Sequence, residues 1–205
     1  MTGSGDAAVV GPKAGVLVSD DGTARCRWVG TDLEYQRYHD EEWGRPLHGD
    51  VPLFEKLSLE AFQAGLSWIT ILRRRPGFRD AFDGFDPRRV ADYEARDIER
   101  LMTDERIIRN RAKVLATISN ARLTLDLIAE APGTFDELMW SFAPAARLAR
   151  FTSMTDIPAI TPESTAMSDE LRRLGFRFVV PTTMYALMQS SGMVDDHVEA
   201  CWRAH

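Results

Sequence analysis

A histidine and a cysteine stand four residues apart near the end of the chain, in the segment DDHVEACW that runs from Asp195 to Trp202. On a helix this spacing places His197 and Cys201 on one face, one turn apart, where both side chains can bind a single tetrahedral zinc ion. An ordinary helix end with an accidental histidine and cysteine has the same spacing. Asp195 and Asp196 are candidates either to orient His197 or to cap the helix.

The chain has one other cysteine, Cys26 in RCRWVG, and the segment YHDEEWG supplies His39 thirteen residues later. The four candidate ligands form a Cys₂His₂ set: Cys26, His39, His197 and Cys201. Such a set saturates one zinc ion and leaves no open position, so the ion would be structural and would tie an irregular N-terminal segment to a C-terminal helix. His48 and His205 are alternatives for either histidine.

Aromatic side chains are concentrated between residues 28 and 43. They are Trp28, Tyr35, Tyr38 and Trp43, and Trp68 follows in QAGLSWIT. Their ring faces can stack on a planar ligand or fill the core under an irregular segment. Glu60 stands among the apolar residues of LSLEAFQAG, so its carboxylate lies either on the solvated face of a helix or in a pocket. The spacing alone favours the solvated face.

A candidate nucleic-acid-binding hairpin lies in LMTDERIIRNRAKV, residues 101–114. We interpret it as a short helix, a tight turn and a long helix that begins at Ile107 and Ile108. Helix-hairpin-helix motifs present backbone N–H groups at a helix N-terminus to phosphate, and adjacent basic side chains add charge. Because Glu105 and Arg106 stand where glycine is usual, an ordinary αα-hairpin is the alternative. Basic residues form two clusters, which solvated helix ends would also explain: Arg73–Arg75, and Arg106, Arg109, Arg111 and Lys113.

Composition excludes disorder and fibrous structure but indicates no function. The 205 residues are 44% hydrophobic and 27% charged, and the net charge of −6 argues mildly against a nucleic-acid partner. Two cysteines do not make a disulfide framework. No apolar run approaches the roughly 20 residues of a membrane helix, and the first residues lack the features of a signal peptide. We therefore expect a cytoplasmic protein, and we take it to be a monomer.

The hydrophobic pattern predicts an all-α fold of seven or eight helices. Residues 1–24 are rich in Gly, Ala, Ser and Asp and are expected to form a flexible extension, so the domain should span residues 25–205. FRFVV is the one strand-like alternation and is too short for a sheet. A loop-rich linker is expected around residues 143–165.

Helix boundaries follow from proline, glycine and capping residues. One helix begins at Val51, with Pro52 in its first turn and Gly65 at its end, and the next, LSWITILRRR, ends at Pro76. RNRAKVLATISNARLTLDLIAE has apolar residues every three or four positions, which indicates a long amphipathic helix. Ser168 is expected to cap DELRRLG, and PTTMYALMQSSG and MVDDHVEACW are the last two helices.

Five motifs in this order resemble the 3-methyladenine DNA glycosylase I family, a zinc-containing branch of the helix-hairpin-helix glycosylases: RCRWVG, YHDEEWG, LFEKLSLEAFQAGLSWITIL, IIRNRAKV and DDHVEAC. The resemblance extends from about Arg25 to Cys201. It implies a monofunctional enzyme, without lyase activity, that hydrolyses the N-glycosidic bond of 3-methyladenine in alkylated double-stranded DNA as the first step of base excision repair. It implies zinc and no redox or nucleotide cofactor.

The resemblance also assigns roles to residues. The implied zinc ligands are Cys26, His39, His197 and Cys201. The implied base pocket consists of Tyr38, Glu60 and Trp68, with Trp28 and Trp43 as walls. Glu60 is the one candidate catalytic carboxylate, and Leu66 is either a plug for the gap left by a flipped base or a core leucine. The candidate phosphate contacts are Ile107, Ile108, Arg109, Asn110, Arg111 and Lys113.

Methylation at N3 puts positive charge on the purine, so the base already leaves readily and recognition can do much of the work. Stacking on Trp68 would add a cation–π attraction of roughly 0.5–2 kcal/mol, and Glu60 would accept hydrogen bonds from the base. Asp195 and Asp196 resemble the catalytic segment of other superfamily members but lie about 80 residues beyond Lys113, so we do not expect them to be catalytic. Two alternatives are a zinc-stabilised protein that binds DNA damage without catalysis and a helical protein that binds a small molecule.

Overall fold

The structure, a computed structural model, describes residues 15–147 and 149–204. The chain divides into two compact units. The terminal unit consists of the chain up to Asp40, Arg147–Pro158 and the segment from Asp196 onward. The central unit consists of Glu41–Ala146 and Ala159–Asp195. The assignment of residues 25–205 to one domain stays a prediction.

The terminal unit contains a β-hairpin that the sequence did not predict. Strand β1, Val16–Val18, pairs antiparallel with β2, Ala24–Cys26, so that Val16 is opposite Cys26. Val16 is buried. Residues 15–24 therefore contribute a strand and a turn, whereas a flexible extension was expected there. Residues 1–14 of that predicted extension lie outside the described residues.

Most of the described chain is helical, in agreement with the predicted class, and nine α-helices occur in its described ranges. The helices are α1 Leu33–Glu41, α2 Asp50–Gln63, α3 Trp68–Ala81, α4 Pro87–Ala91, α5 Ala95–Thr103, α6 Arg111–Glu130, α7 Thr134–Trp140, α8 Pro162–Arg173 and α9 Pro181–Ser190. Short 3₁₀ helices occupy Arg27–Val29, Asp83–Phe85, Met154–Asp156 and Trp202–Ala204. None of the helices within 15–147 and 149–204 has the length and apolar character needed to cross a lipid bilayer.

The longest helix of the described chain, α6, follows its predicted amphipathic pattern. Val114, Ile118 and Ala121 are buried, and the helix packs against α4 and α2. A stripe of apolar side chains at three- and four-residue spacing stabilises the helix because it can be removed from water as a unit. Helix α2 also has the predicted form, since it ends at Gln63 and Gly65 adopts a φ of 85°.

The predicted end of α3 and the predicted start of α8 are wrong. Pro76 does not end α3, which continues to Ala81. Proline removes one backbone hydrogen bond, but Phe78 and Ala81 are fully buried beyond it, and this packing sustains the helix. Ser168 does not cap α8, because the side chain of Thr161 accepts from the backbone N–H of Ser164 and starts the helix seven residues earlier.

The predicted C-terminal helix MVDDHVEACW is not formed, since residues 193–201 are irregular. The backbone N–H of Glu199 donates to the carbonyl of Phe151 at 2.9 Å, a partner far along the chain and not the residue four positions before it. Helix α6 likewise begins at Arg111 and not at Ile107, because Asn110 caps it by accepting from the N–H of Lys113 at 3.2 Å.

Candidate functional site

Three predicted metal ligands meet in the terminal unit. Cys26 ends β2, His39 lies on α1, and Cys201 precedes the final 3₁₀ helix. Their ligand atoms all lie within 4.8 Å of one another, and all three side chains are buried. Both cysteines are free thiols. Irregular backbone, and not the predicted helix, brings Cys201 to this group.

The imidazole of His39 is oriented by a carboxylate. Its Nδ1 lies 2.8 Å from Oδ1 of Asp40, while its Nε2 lies 3.5 Å from the Sγ of Cys201. Asp40 is held in turn by Arg25, at 2.8–3.1 Å, and by the indole N–H of Trp202 at 3.0 Å. A carboxylate on one ring nitrogen fixes the tautomer so that the other nitrogen presents a lone pair to a metal.

The thiol of Cys201 is prepared for ionisation. A hydrogen bond with Cys26, and next the neighbouring His39, lower the pKa of Cys201 to about 4, although burial acts in the opposite direction. A thiolate is the form that binds metal. Two sulfur donors and one imidazole nitrogen within 4.8 Å fit the soft tetrahedral coordination of zinc, whose ligand distances are roughly 2.0–2.3 Å.

The second predicted histidine, His197, is buried in the same unit, and its ring centroid lies 4.9 Å from that of His39. Of the two alternatives, His48 stacks on Trp140 in the central unit, and His205 lies outside the described residues. Asp196 pairs with Arg147 at 2.5 Å. Asp196, the neighbour of His197 in sequence, therefore has a charged partner of its own.

Two of the predicted base-pocket residues belong to the terminal unit. Trp28 packs edge-on against Tyr35, Tyr38 and His39, with centroid distances of 4.8, 6.5 and 5.5 Å. Tyr38 is 2% exposed. The aromatic residues of this segment therefore pack together beside the metal group, and α1 replaces the irregular segment that the sequence suggested.

Glu60 is the most unusual carboxylate of the central unit. It lies on α2 and is only 3% exposed, so the solvated position that its spacing favoured is wrong. Its Oε1 accepts a 3.0 Å hydrogen bond from Ser190 on α9, whereas Oε2 has no hydrogen-bond partner among the described residues. Burial raises the pKa of Glu60 to about 7, against the opposing effects of Lys56 and Ser190.

Trp68 is the first residue of α3 and is also buried in the central unit. The ammonium of Lys56 lies over its ring, 5.2 Å from the centroid. Sequence reasoning missed Lys56 and Ser190. The four-residue spacing of Lys56 and Glu60 on α2 was a visible signal, but it is equally common on solvated helix faces. Trp43, the remaining predicted wall residue, is buried in the same unit.

The turn between α2 and α3 exposes Leu66, whose side chain is 41% accessible. This exposure argues against the core-leucine alternative. The ammonium of Lys113 caps the end of α2 by donating to the carbonyls of Phe62 and Ala64 at 2.9 and 2.7 Å. Lys113 is buried, and burial lowers its pKa. Two of the three N–H donors of Lys113 thus form hydrogen bonds that stabilise the turn containing Leu66.

The segment between α5 and α6 forms the predicted hairpin connection. Ile107 is buried and anchors it, whereas Arg109, Asn110 and Arg111 are exposed. In the other predicted basic cluster, Arg73–Arg75, one arginine is already paired. Arg75 forms a bidentate salt bridge with Glu42 at 2.5 and 2.7 Å. Of the two predicted basic clusters, the one beside α6 has Arg109 and Arg111 exposed at the start of the helix.

Comparisons with known proteins give matches over most of the chain. A family model described as methyladenine glycosylase matches residues 28–204. The DNA-3-methyladenine glycosylase of Haemophilus influenzae is 42% identical over 180 residues, covering 87% of this chain and 97% of that protein. DNA-3-methyladenine glycosylase 1 of Escherichia coli is 44% identical over 179 residues, covering 86% and 95%. A crystal structure of 3-methyladenine DNA glycosylase I matches with a TM-score of 0.83 and 42% identity, covering 87% of this chain and 98% of that one.

Proposed function

The chain belongs to the methyladenine glycosylase family, and we propose that it hydrolyses the N-glycosidic bond of 3-methyladenine in alkylated DNA, the first step of base excision repair. The observation that supports this function is Glu60. A carboxylate that is 97% buried and keeps one oxygen without a protein hydrogen-bond partner among the described residues is costly to the fold. A ligand that carries positive charge and hydrogen-bond donors would satisfy it.

Glu60 recognises the lesion through its charge. The N3-methylated purine is cationic while it is attached to the sugar, whereas adenine is neutral. The open Oε2 accepts a hydrogen bond from the adenine edge, and the carboxylate offsets the positive charge. Normal adenine gains the hydrogen bond but not the charge compensation, so Glu60 discriminates between the two bases.

Aromatic residues provide the stacking surfaces in this proposal. Trp68 stacks on the flipped base, and the ring quadrupole favours a cation by roughly 0.5–2 kcal/mol. Tyr38 is a further contact to the base, and Trp28 and Trp43 are walls. The four residues are buried or half-buried, so stacking would remove the base from water.

Hydrolysis breaks the bond between N9 of the purine and C1′ of the deoxyribose. The bonding electron pair moves to the cationic base, which leaves as neutral 3-methyladenine. Water adds to C1′ and loses a proton, so the products are the free base and an abasic site in an uncut strand. Because the leaving base is already charged, binding that favours the cationic form can supply much of the catalysis.

DNA is held at the hairpin and at the turn before α3. Arg109 and Arg111 contribute charge, and the backbone from Ile107 to Arg109 presents N–H groups to phosphate at the start of α6, whereas the N–H of Asn110 donates to the carbonyl of Ile108 at 2.9 Å. Leu66 is exposed and fills the gap left by the flipped nucleotide, which offsets an unstacking cost of a few kcal/mol. Ile108 belongs to the same proposed phosphate-binding segment. Lys113 stabilises the turn that contains Leu66 by hydrogen bonds to carbonyls at the end of α2.

A structural zinc ion completes the terminal unit in this proposal. Cys26, His39, His197 and Cys201 would hold one ion per chain as a closed Cys₂His₂ site. The ion would cross-link β2, α1 and the irregular C-terminal segment, and it would take no part in the reaction. Support comes from the three buried donors within 4.8 Å and from the lowered pKa of Cys201.

The direct test is release of base from methylated duplex DNA. The protein is incubated with DNA treated with a methylating agent, and the released bases are separated by chromatography. Glu60→Gln keeps the size of the side chain but loses its charge, and Glu99→Gln makes the same change on an exposed part of α5 as a control. We expect wild type and the control to release 3-methyladenine and Glu60→Gln to lose most of this activity. Retained lesion binding without base release would favour the non-enzymatic alternative.

A further inference from the structure

One buried cation accompanies both recognition residues of the central unit. Lys56 is 7% exposed and lies on α2 one turn before Glu60. Its ammonium is 5.2 Å from the ring centroid of Trp68. A lysine is rarely buried unless it has a partner, because removing its charge from water is costly. Its position beside two pocket residues therefore calls for an explanation.

We propose that Lys56 is a positioning residue that keeps Glu60 in its carboxylate form and holds the Trp68 ring in place, while Ser190 fixes one oxygen of Glu60 so that the other remains an acceptor for the base. This inference rests on the proposed function, because it concerns the same recognition site. Lys56 acts through Glu60 and Trp68 and does not itself touch the substrate.

The electrostatics of the pair give Lys56 this role. Burial raises the pKa of Glu60 and lowers that of Lys56, and the attraction between the two opposes both changes. Without Lys56, burial would act on Glu60 with only Ser190 to oppose it. The carboxylate would then be protonated at a higher pH, and a protonated carboxyl neither offsets the charge of the lesion nor offers the same acceptor.

Other charges of the central unit reach the pair more weakly. Glu42 and Glu55 favour the charged form of Lys56, and Arg75 on α3 disfavours it. Lys113 on α6 is engaged with the end of α2. For Glu60 itself, Lys56 is the one charged group with a resolved effect among the described residues, and Ser190 provides the one hydrogen bond.

The positive charge of Lys56 beside a pocket for a cationic base would also repel that base. Whether it does so depends on the charge of Glu60. With Glu60 ionised, the pair is neutral overall and Oε2 still accepts a hydrogen bond. With Glu60 protonated, the charge of Lys56 is no longer balanced and repels the base. Below the pKa of Glu60, Lys56 should therefore make the loss of base release with falling pH larger. Above that pKa, the charge of Lys56 should reduce the attraction between the pocket and the cationic base.

The size of the effect follows from the pKa of Glu60, which is about 7. An opposite charge at close range lowers a carboxyl pKa by roughly 1–3 units. If removal of Lys56 raises the pKa by about one unit, the ionised fraction at pH 7 falls from about one half to about one eleventh. Base release at pH 7 should then fall about fivefold.

The experiment measures single-turnover release of 3-methyladenine between pH 5.5 and 9.5, corrected for spontaneous loss. Lys56→Met replaces the lysine with an unbranched apolar chain of similar volume. The rise of its base-release rate with pH should move to higher pH by about one unit, and the rate of Lys56→Met at pH 9 should equal or exceed that of wild type. Arg96→Gln removes a charge from a side chain that is 85% exposed and should leave the profile unchanged.

Ser190→Ala provides a second variant that removes only one buried hydroxyl, and it should shift this rise in the same direction. In a Glu60→Gln background, Lys56→Met should have no pH-dependent effect, because no carboxyl is left to titrate, and it should not lower the rate, because it removes a cation that repels the base. A loss that is equal at every pH, or a pH profile of Lys56→Met that is not shifted from that of wild type, would overturn the inference. If wild type releases no base, the proposed function itself fails; if Glu60→Gln is impaired but Lys56→Met is unshifted, only the role of Lys56 fails.

Discussion

Replacing Glu60 with glutamine should change protein stability in a pH-dependent way. The pKa of Glu60 is about 7 in the folded protein, against an ordinary value of 4.5 that we take for the unfolded chain. The unfolded state therefore ionises first as the pH rises. The stability that Glu60 contributes is fully present below pH 4.5 and is lost as the pH rises through 7. Glutamine cannot ionise and suffers no such loss.

The magnitude follows from these two pKa values. Preferential ionisation of the unfolded chain costs wild type about 1 kcal/mol at pH 5 and about 3 kcal/mol at pH 8. Relative to wild type, Glu60→Gln should therefore gain about 2 kcal/mol of unfolding free energy between pH 5 and pH 8. If the unfolding free energy falls by about 2 kcal/mol per molar urea, the difference between the urea unfolding midpoints of Glu60→Gln and wild type should change by about 1 M between pH 5 and pH 8.

The assay is urea unfolding followed by far-ultraviolet circular dichroism at pH 5, 6.5 and 8. Glu99→Gln is the matched control, because Glu99 is exposed on α5. Its difference from wild type should be nearly independent of pH. If the difference between Glu60→Gln and wild type were also independent of pH, the carboxyl of Glu60 would not be buried in the way described. A gain in stability combined with a loss of activity would show that Glu60 is retained for function.

Three further predictions concern the metal group, the pH profile and the turn. Cys201→Ser should lose most of the one equivalent of zinc per chain and lower the melting temperature, measured by metal analysis and calorimetry; zinc-free wild type or an unchanged melting temperature would refute the zinc proposal. Base release by wild type should fall about tenfold for each pH unit well below 7, because Glu60 becomes protonated there, and a flat profile from pH 5.5 to 8 would refute this. Leu66→Ala should change the unfolding free energy by less than about 1 kcal/mol, because the side chain is 41% exposed. It should slow base release from duplex DNA more than from single-stranded DNA, because only the duplex leaves a gap to fill. An equal effect on both substrates would contradict the proposed role of Leu66 in filling the gap.

Local periodicity predicted the helices whose stability comes from a single apolar face. Helix α6 has this property, and its existence was confirmed although it begins later than predicted, at Arg111. Helix α2 also lies where it was predicted, but its residues 56–62 are all buried, so more than one face is packed. The same reasoning failed at Pro76 and in residues 193–201, where partners far along the chain decide the backbone. Tertiary packing sustains α3 beyond the proline, and the bond from Glu199 to Phe151 replaces a helical one.

The grouping of Cys26, His39 and Cys201 was easier to predict than the structure that brings them together. Cysteine and histidine are candidate zinc ligands by their chemistry, and that chemistry does not depend on the backbone between them. Cys201 therefore joins Cys26 and His39 although the expected helix is absent. The orienting carboxylate was not predicted, because Asp40 follows a ligand in sequence and carries no pattern that separates it from other acids.

The recognition site depended most on tertiary structure. Spacing alone placed Glu60 on a solvated face, and only the resemblance of the surrounding motif pointed to a pocket. Ser190 lies 130 residues beyond Glu60, so no local pattern could connect them. Lys56 was equally hidden, because a lysine on a helix is ordinarily solvated and its burial appears only after α2 and α3 have packed.

In the proposed function, Glu60 recognises a cationic base that the protein then releases from DNA. The most direct measurement is release of 3-methyladenine from methylated duplex DNA by wild type, Glu60→Gln and Glu99→Gln at pH 8, where Glu60 is mostly ionised. We predict rapid release of the base, with the DNA strand left uncut, by wild type and Glu99→Gln, and a large loss in Glu60→Gln. Absence of 3-methyladenine among the products of wild type, or full activity in Glu60→Gln, would contradict the account.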